Sequence, residues 1–304
     1  MLTVTQFSDT HFSYPGHRSH GGFGYDTDAT WQACAAEAFD MARSGVTDLT
    51  VITGDLADRG ERGEYDVAVS HLSTIPNPAN VLAGNHDFHL PLSTIVPRPG
   101  LTMDRTQTVG PWLFIFADSN GDGRELGPLG RLVDKADRIE SNGRLGEAEV
   151  DWIEQVIATS SAEHVWLWMH HPPAMPGTFA KPDFDAEVAA LLERQPGIRG
   201  IGAGHVHSDM TVQLAGRPIH VCPALTINID FVNWTTLPPG YRTYSFADNG
   251  AVTSQCHLVG EDLWPRFPLP DLVIAQFNGE ITWDEMVAGL AGLVDDSGSG
   301  PRPR

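Results

Sequence analysis

The chain has 304 residues, of which 39 are acidic and 19 are basic, so its formal net charge at pH 7 is −20. Its hydrophobic fraction of 41% and its charged fraction of 19% are typical of a soluble globular enzyme and exclude a disordered chain. Non-specific nucleic-acid binding depends on lysine and arginine side chains that displace counterions. The negative charge therefore argues against long DNA or RNA as the main partner.

The cysteines and the first residues of the chain indicate its compartment. Cys34, Cys222 and Cys256 are scattered and form no CxxC pair, which is typical of proteins from reducing compartments. No basic and apolar leader is visible before the first predicted strand, and no window reaches about 18 apolar residues. We therefore expect a cytoplasmic protein without a membrane span.

The first half of the chain alternates predicted strands with predicted helices. The strands are expected at 3–8, 49–53, 80–83 and 111–117. Thr27 or Asp28 is expected to cap a first helix that Gly45 ends, and a second helix has Tyr65, Val69 and Leu72 on one face. This alternation predicts an α/β sandwich.

The second half continues this alternation and then changes character. Helices are expected around 150–157 and at 184–194, and strands at 164–169 and 198–203. From residue 210 the pattern changes to antiparallel strands with a hairpin turn at 248–250, which predicts a second, mixed or antiparallel sheet.

The C-terminal part has a different composition. Residues 281–294 are typical of an amphipathic helix, and residues 295–304 (DDSGSGPRPR) are typical of a disordered tail. We therefore divide the chain into a main domain at 1–260, an extension at 261–294 and a tail at 295–304. The helix of the extension is expected to pack on the core or to form a dimer interface.

Five predicted strands end in side chains that can bind a metal ion. In α/β sheets the ligand crevice lies beyond the carboxyl ends of the strands, so we expect these side chains to meet. They are Asp9, His11, Asp55, Asn85, His170, His205 and His207. Imidazole, carboxylate and amide oxygen together suit Mn, Fe, Zn or Co better than Ca or Mg. Seven ligands exceed one open site, and with one shared carboxylate they divide into four for each of two ions about 3.5–4 Å apart.

Each motif taken alone also has an ordinary structural explanation. A lone Asp or His after a strand is usually a cap or a surface residue, Asn85-His86 can form a plain turn, and His205 and His207 can be a hydrogen-bonded pair on one strand face. The presence of all five motifs in this order favours the metal site.

The ordered motifs resemble the calcineurin-like metallophosphoesterase family over about residues 1–260. They are Asp9-Thr10-His11, Gly54-Asp55-Leu56-Ala57-Asp58, Gly84-Asn85-His86-Asp87, His170-His171 and Gly204-His205-Val206-His207. The two prolines after His171 look like the branch that contains class III cyclic-nucleotide phosphodiesterases and glycerophosphodiesterases. The resemblance implies a four-layer α/β/β/α sandwich with two mixed β-sheets and two divalent transition-metal ions, which are Fe, Mn or Zn.

The resemblance also implies a role for each residue. The first ion would be held by Asp9, His11, Asp55 and His207, and the second by Asp55 as the bridge, Asn85, His170 and His205. His86 would face the substrate and stabilise the transition state or protonate the leaving oxygen. Asp58, Asp87 and His171 would orient their neighbours, which is His86 in the case of Asp87.

The implied activity is hydrolysis of a small phosphodiester, with a 3′,5′-cyclic nucleotide as the first choice, by a hydroxide that bridges the two ions. A glycerophosphodiester hydrolase or a phosphomonoesterase would use the same site. The charge counts against a repair nuclease of the same fold, and the complete ligand set counts against a non-catalytic scaffold. The sequence leaves open the roles of His17, Arg18 and His20, the role of the extension, and whether the protein is a homodimer.

Overall fold

The structure, a computed structural model, describes residues 1–16, 18, 24–120, 143–282, 285–286 and 288–289. Its strands, in chain order, are β1 (Leu2–Phe7), β2 (Leu49–Thr53), β3 (Ala79–Leu82), β4 (Leu101–Thr102), β5 (Thr106–Val109), β6 (Trp112–Phe116), β7 (His164–Trp168), β8 (Ile198–Ala203), β9 (Met210–Leu214), β10 (Arg217–Val221), β11 (Asn228–Asp230), β12 (Thr235–Leu237), β13 (Gly240–Phe246) and β14 (Val252–Leu258). The helices are α1 (Thr27–Arg43), α2 (Arg62–Leu72), α3 (His89–Ile95), α4 (Glu147–Thr159), α5 (Pro182–Arg194) and α6 (Asp271–Phe277), and a 3-10 turn covers Gly177–Phe179.

These strands form two six-stranded mixed sheets and one small hairpin. The first sheet has the order β14-β13-β1-β2-β3-β4, the second has the order β5-β6-β7-β8-β10-β9, and β11 pairs with β12. The strands β1 to β4 are parallel, as are β6, β7, β8 and β10, whereas β5, β9, β13 and β14 run antiparallel to their neighbours. In each sheet the central parallel strands therefore present their carboxyl ends at one edge.

The late strands correct one expectation from the sequence. Most of them do not build a separate sheet, because β9 and β10 extend the sheet of β6 to β8 while β13 and β14 extend the sheet of β1 to β4. The short strands β11 and β12 pair with each other. The hairpin at 248–250 is present, between β13 and β14. Each hairpin covers an open strand edge, whose unpaired N–H and C=O groups need a partner. Local pattern does not say which edge a hairpin will join.

Buried apolar side chains fill three regions, which are the space between the two sheets and the space between each sheet and its helices. The architecture therefore has four layers, helices, sheet, sheet and helices. On β6, Trp112, Phe114 and Phe116 pack between the two sheets, whereas Leu113 and Ile115 face the helices on the other side. This follows from the two-residue repeat of a strand that is buried on both faces. The helices α4 and α5 cover the outer face of the second sheet, and α1, α2 and α3 cover the outer face of the first.

The residue that caps α1 differs from the expectation. The N-cap is Asp26, whose side chain accepts a hydrogen bond from the Ala29 N–H at 2.9 Å, rather than Thr27 or Asp28. An aspartate at this position satisfies a backbone donor that the helix leaves unpaired. Trp31 and Ala35 are buried on the inner face, as the spacing predicts.

The C-terminal extension packs against the rest of the same chain in the part that the structure describes. Met286, which is 4% exposed, lies in a small apolar cluster with Ile229, Leu269 and Val273. Residues 283–284, 287 and 290–294 of the expected helix, and the expected tail at 295–304, lie outside the described residues. The division at residues 260 and 294 stays a prediction. In the described part of the chain, no helix has the length and the apolar character that crossing a membrane requires.

We expect Met286→Ala to lower the free energy of unfolding by about 2–5 kcal/mol, since it removes a buried side chain and leaves a cavity. The matched control is Leu263→Ala, because Leu263 is 70% exposed and a surface change of this kind costs less than about 0.5 kcal/mol. Urea unfolding of the full chain measures both values. Equal stability of the two variants would mean that the extension does not pack on this cluster in solution.

Candidate metal centre

The seven side chains predicted to bind metal lie together at the carboxyl edge of the two sheets. Asp9 and Asp55 follow β1 and β2 of the first sheet by two residues, and His170 and His205 follow β7 and β8 of the second sheet by two residues. The two edges meet because the His205 N–H donates to the Asp9 carboxylate at 3.0 Å. The site is therefore shared between the sheets.

Asp55 occupies the middle of this group. Its Oδ2 lies 3.6 Å from His11 Nε2 and 3.3 Å from His170 Nε2. Asn85 Oδ1 is 2.9 Å from the same nitrogen of His170. This is the position that a carboxylate shared by two ions would take.

Asp9 and two histidines form the neighbouring part of the group. His207 Nε2 lies 3.4 Å from Asp9 Oδ1 and 3.2 Å from His11 Nε2. All three side chains are buried. An acceptor oxygen and two imidazole nitrogens at these distances surround a single point, as metal ligands do.

Among the described residues, four sets of side chains have ligand atoms within 4.8 Å of one another. They are Asp9, His11 and His207; Asp9, Asp55 and His170; His170, His171 and His205; and His11, Asp58 and His86. The first two sets contain only predicted ligands. The other two include His171, Asp58 and His86, which we expected beside the ions rather than on them. The division of the ligands between two ions stays a prediction.

Backbone carbonyls fix the orientation of two of the histidines. His170 Nδ1 donates to the Thr53 carbonyl at 2.7 Å, and His207 Nδ1 donates to the Ile227 carbonyl at 3.0 Å. A carbonyl oxygen can only accept, so Nδ1 of each ring carries a proton, and Nε2 is the nitrogen that would bind an ion. Histidine ligands are usually oriented in this way. These residues therefore fit a metal ion.

The charges of the buried groups reinforce this fit. Burial raises the pKa of Asp9 and of Asp55, but the neighbouring histidines, led by His207 for Asp9 and by His170 for Asp55, together outweigh burial. Both pKa values fall below their usual range. Burial lowers the pKa of His170, but Asp55 outweighs burial and raises it to about 9. Burial and the charge of His170 lower the pKa of His205 to about 3. Both carboxylates are thus ionised, which metal binding requires.

His86 lies beside this group and is held at two points. Its Nδ1 donates to the Asp58 carbonyl at 2.7 Å, and its backbone N–H donates to Asp55 Oδ1 at 2.8 Å. Its ring lies 4.7 Å from the His11 ring, edge to face. Burial lowers the pKa of His86, but Asp55 and the Asp58 carbonyl outweigh it, so the net shift is upward.

Asp87 connects the loops on which the ligands lie. Its carboxylate accepts hydrogen bonds from the backbone N–H groups of Leu56, Ala57 and Gly84 at 2.9–3.2 Å. Those donors belong to the loops that follow β2 and β3, so Asp87 sets the distance between Asp55 and Asn85. Its expected effect on His86 stays a prediction.

The backbone of the site is unusual at the ligands themselves. Among the described residues, eight non-glycine residues have positive φ, and five of these are predicted ligands. They are Asp9, His11, Asp55, His205 and His207, with φ between 41° and 71°. A non-glycine residue in this region costs roughly 1–3 kcal/mol. The backbone conformation that directs these side chains inward therefore lowers the stability of the fold.

Two glycines allow the strand ends to approach each other. A Cβ on Gly84 would collide with Oδ1 and the backbone N of Asp55, and would lie 2.8 Å from Asp55 Cγ. A Cβ on Gly204 would collide with Ser8 and would lie 2.7 Å from Asp9 Oδ2. The glycines that precede Asn85 and His205 in the motifs thus make room for the two carboxylates.

The end of β6 carries a buried polar residue that the sequence motifs did not predict. Ser119 follows this strand by three residues and is fully buried. Its Oγ lies 2.9 Å from His171 Nδ1 and accepts the His171 N–H at 3.0 Å. Ser119 shares the sequence pattern of the other motifs, because it is a polar residue just after a buried strand.

An aromatic cluster connects the extension to the site. Phe179 lies 6.0 Å from the His205 ring and 5.6 Å from Phe277 of α6, and Phe231 contacts both phenylalanines.

Of the residues whose roles the sequence leaves open, Arg18 forms an isolated bridge with Asp26. His17, His20 and residues 121–142 lie outside the described residues.

We expect Gly84→Ala to displace Asp55 and to reduce the metal content of the reconstituted protein by at least one ion per chain. Gly197→Ala is the control, because a Cβ there would meet only Val165 Cγ2 at 3.9 Å. Elemental analysis of gel-filtered protein gives the metal content, and thermal unfolding verifies that both variants fold. Full metal content in Gly84→Ala would mean that Asp55 is not a ligand.

Named relatives of this chain are phosphodiesterases. The 3′,5′-cyclic adenosine monophosphate phosphodiesterase CpdA of Escherichia coli K12 is 24% identical over 271 residues, covering 86% of this chain and 90% of that protein. The glycerophosphodiester phosphodiesterase GpdQ of Enterobacter lignolyticus is 24% identical over 245 residues, covering 78% and 82%.

A solved structure shares the fold. GAP50, described as the anchor in the inner membrane complex of Plasmodium, superposes with a TM-score of 0.53 at 12% identity and covers 86% of this chain and 89% of that chain. At this identity the likeness shows the fold alone. The family model of the calcineurin-like phosphoesterases matches residues 2–209, which is more than half of the chain. The chain therefore belongs to the calcineurin-like phosphoesterase family.

Proposed function

We propose that this protein is a metal-dependent phosphodiesterase that hydrolyses a small phosphodiester, with 3′,5′-cyclic nucleotides as its first substrate class. The observation that carries the proposal is the position of the Asp55 carboxylate between His11 and His170. A carboxylate placed between two sets of ligands suits a pair of ions, and a pair of ions suits phosphoryl transfer. The CpdA relatives support the cyclic-nucleotide class.

We assign seven residues to two divalent transition-metal ions, Fe, Mn or Zn. Asp9, His11, Asp55 and His207 would hold the first, and Asp55, Asn85, His170 and His205 would hold the second. When bound, the ions would activate water as the nucleophile and neutralise charge on the phosphoryl oxygens. The carbonyls of Thr53 and Ile227 accept hydrogen bonds from His170 and His207 and so orient these two proposed ligands.

His86 is the residue that we assign to the substrate. Its Nδ1 donates a hydrogen bond to the Asp58 carbonyl, so Nε2 is the atom that would donate a proton to the leaving oxygen. Its ring packs edge to face on that of His11, which keeps it at the border of the metal group. A positioned general acid contributes about 10²–10⁴-fold to a rate.

Two alternatives use the same site. The GpdQ relative supports a glycerophosphodiester as the substrate, and a phosphomonoesterase needs no different metal ligands. A repair nuclease is disfavoured by the net charge of −20, which repels a phosphate backbone. A non-catalytic scaffold is disfavoured because every predicted ligand is present at the site.

Location and assembly are further parts of the proposal. Cys34 and Cys222 are buried free thiols and Cys256 is a half-buried one, and this supports a reducing cytoplasm. The packing of Met286 within its own chain supports a packing role for the extension over a role in a homodimer.

We expect the reconstituted protein to hold two transition-metal ions per chain, and we expect two substitutions to behave differently. Asp55→Ala should lose metal together with activity, because it removes the proposed shared ligand. His86→Ala should keep both ions while its kcat falls about 10²–10⁴-fold. Elemental analysis and steady-state kinetics on the same samples measure both effects. If His86→Ala emptied a metal site, the assignment of His86 to the substrate would be wrong.

We expect a substrate panel on the Mn-loaded protein to give the highest kcat/KM for a cyclic nucleotide. The panel compares cyclic AMP, glycerophosphoethanolamine, p-nitrophenyl phosphate and a short oligonucleotide under identical conditions. Asp55→Ala is the control for contaminating phosphatases. A higher kcat/KM for the glycerophosphodiester or the monoester would replace the proposed substrate class with that one, and no hydrolysis of any ester would favour a scaffold.

A further inference from the structure

His171 is a buried histidine that the proposed function leaves without a direct role. It is 2% exposed, and its ring lies 4.5 Å from the His205 ring and 4.8 Å from the His170 ring. Gly143 packs against its Cβ, where a second Cβ would come within 2.8 Å. The side chain is thus fixed at its base while its ring borders two predicted metal ligands.

The hydrogen bonds of Ser119 determine which nitrogen of His171 carries the proton. Ser119 Oγ accepts the backbone N–H of His171 at 3.0 Å, and it lies 2.9 Å from His171 Nδ1. Ser119 is 0% exposed, so its own hydroxyl proton needs an acceptor inside the protein. Within the described part of the chain, the acceptor within reach is Nδ1. His171 is therefore neutral, and its proton is on Nε2.

The Nε2–H of His171 has no hydrogen-bond partner in the part of the chain that the structure describes. Buried donors are rarely left unpaired, since each costs about 1–3 kcal/mol. A ring nitrogen of His171 lies within 4.8 Å of one from His170 and one from His205. Neither neighbouring ring accepts a hydrogen bond from His171 Nε2, so this donor borders two predicted ligands with its hydrogen still to be paired.

We propose that His171 is a further catalytic residue, whose Nε2–H donates a hydrogen bond to a non-bridging phosphoryl oxygen beside His170 and His205. The inference rests on the proposed function in one respect, which is that a phosphoryl group binds at this site. A neutral donor shielded from water stabilises charge that grows on that oxygen in the transition state. His171 acts here as a donor rather than as a ligand, because the proton occupies the nitrogen that an ion would need.

Two substitutions of His171 distinguish a hydrogen-bond donor from a metal ligand and from a packing residue. His171→Gln keeps a donor near the position of Nε2 but loses the ring, whereas His171→Phe keeps a ring but has no donor. We expect both variants to retain two metal ions. His171→Phe should lower kcat roughly 10- to 100-fold and weaken the binding of inorganic phosphate to the Mn-loaded protein about 10-fold, which is the usual effect of one hydrogen bond to a charged group. His171→Gln should recover most of both losses.

The opposite patterns overturn the inference. Loss of metal in both variants would make His171 a ligand, and damage in His171→Gln with a normal His171→Phe would make it a packing residue. If His171→Phe fails to fold, His171→Leu takes its place. Ser119→Ala is a second variant, in which release of the Nδ1 contact should weaken phosphate binding while the metal content stays the same. An unchanged phosphate affinity would also contradict the inference.

Phosphate binding keeps this test separate from the test of the substrate class. Calorimetry with inorganic phosphate requires only the metal-loaded site and no ester hydrolysis. If the substrate panel rejected cyclic nucleotides, the effect of His171→Phe on phosphate affinity would still be expected. If wild-type Mn-loaded protein bound no phosphate at all, the proposed function and this inference would fail together, and the substrate panel would show the same loss.

Discussion

Two carboxylates buried where the sheets meet are the constraint on which the rest of the structure depends. Asp9 and Asp55 are at most 2% exposed, and an isolated buried carboxylate is too costly to persist. Histidines approach both of them, and the backbone N–H groups of His205 and His86 donate to Asp9 and Asp55 respectively. This compensation uses groups from both sheets. The two sheets are therefore joined at this edge by the same charges that prepare the site for metal ions.

The surrounding backbone accepts strain to keep this arrangement. Five predicted ligands have positive φ, and Gly84 leaves the space that Asp55 occupies. Asp87 then ties the loops after β2 and β3 through three backbone N–H groups. Strain of this kind persists only where neighbouring contacts define the conformation. A rigid site of this type suits phosphoryl transfer, which depends on positioning and on charge stabilisation.

The second sheet contributes more than ligands. Ser119 after β6 and His171 after β7 form a hydrogen-bonded pair beside His205, and Phe179 connects the same histidine to the C-terminal extension. Polar donors thus lie on one side of His205 and aromatic rings on another. In the proposed function, this arrangement would give the second sheet a part in recognising the substrate as well as in holding metal.

The sequence by itself determined the parts that depend on local pattern and on motif order. Alternating strands and helices predicted the α/β architecture, and the ends of five strands predicted which side chains meet, because the carboxyl ends of parallel strands share one edge. The tertiary structure alone decided which sheet the β9–β10 and β13–β14 hairpins join, and that Ser119 hydrogen-bonds to His171. Those outcomes depend on which strand edge is open and on which donors and acceptors meet across more than fifty residues of chain. Local periodicity carries no information about such contacts, since it reports only which face of each element is buried.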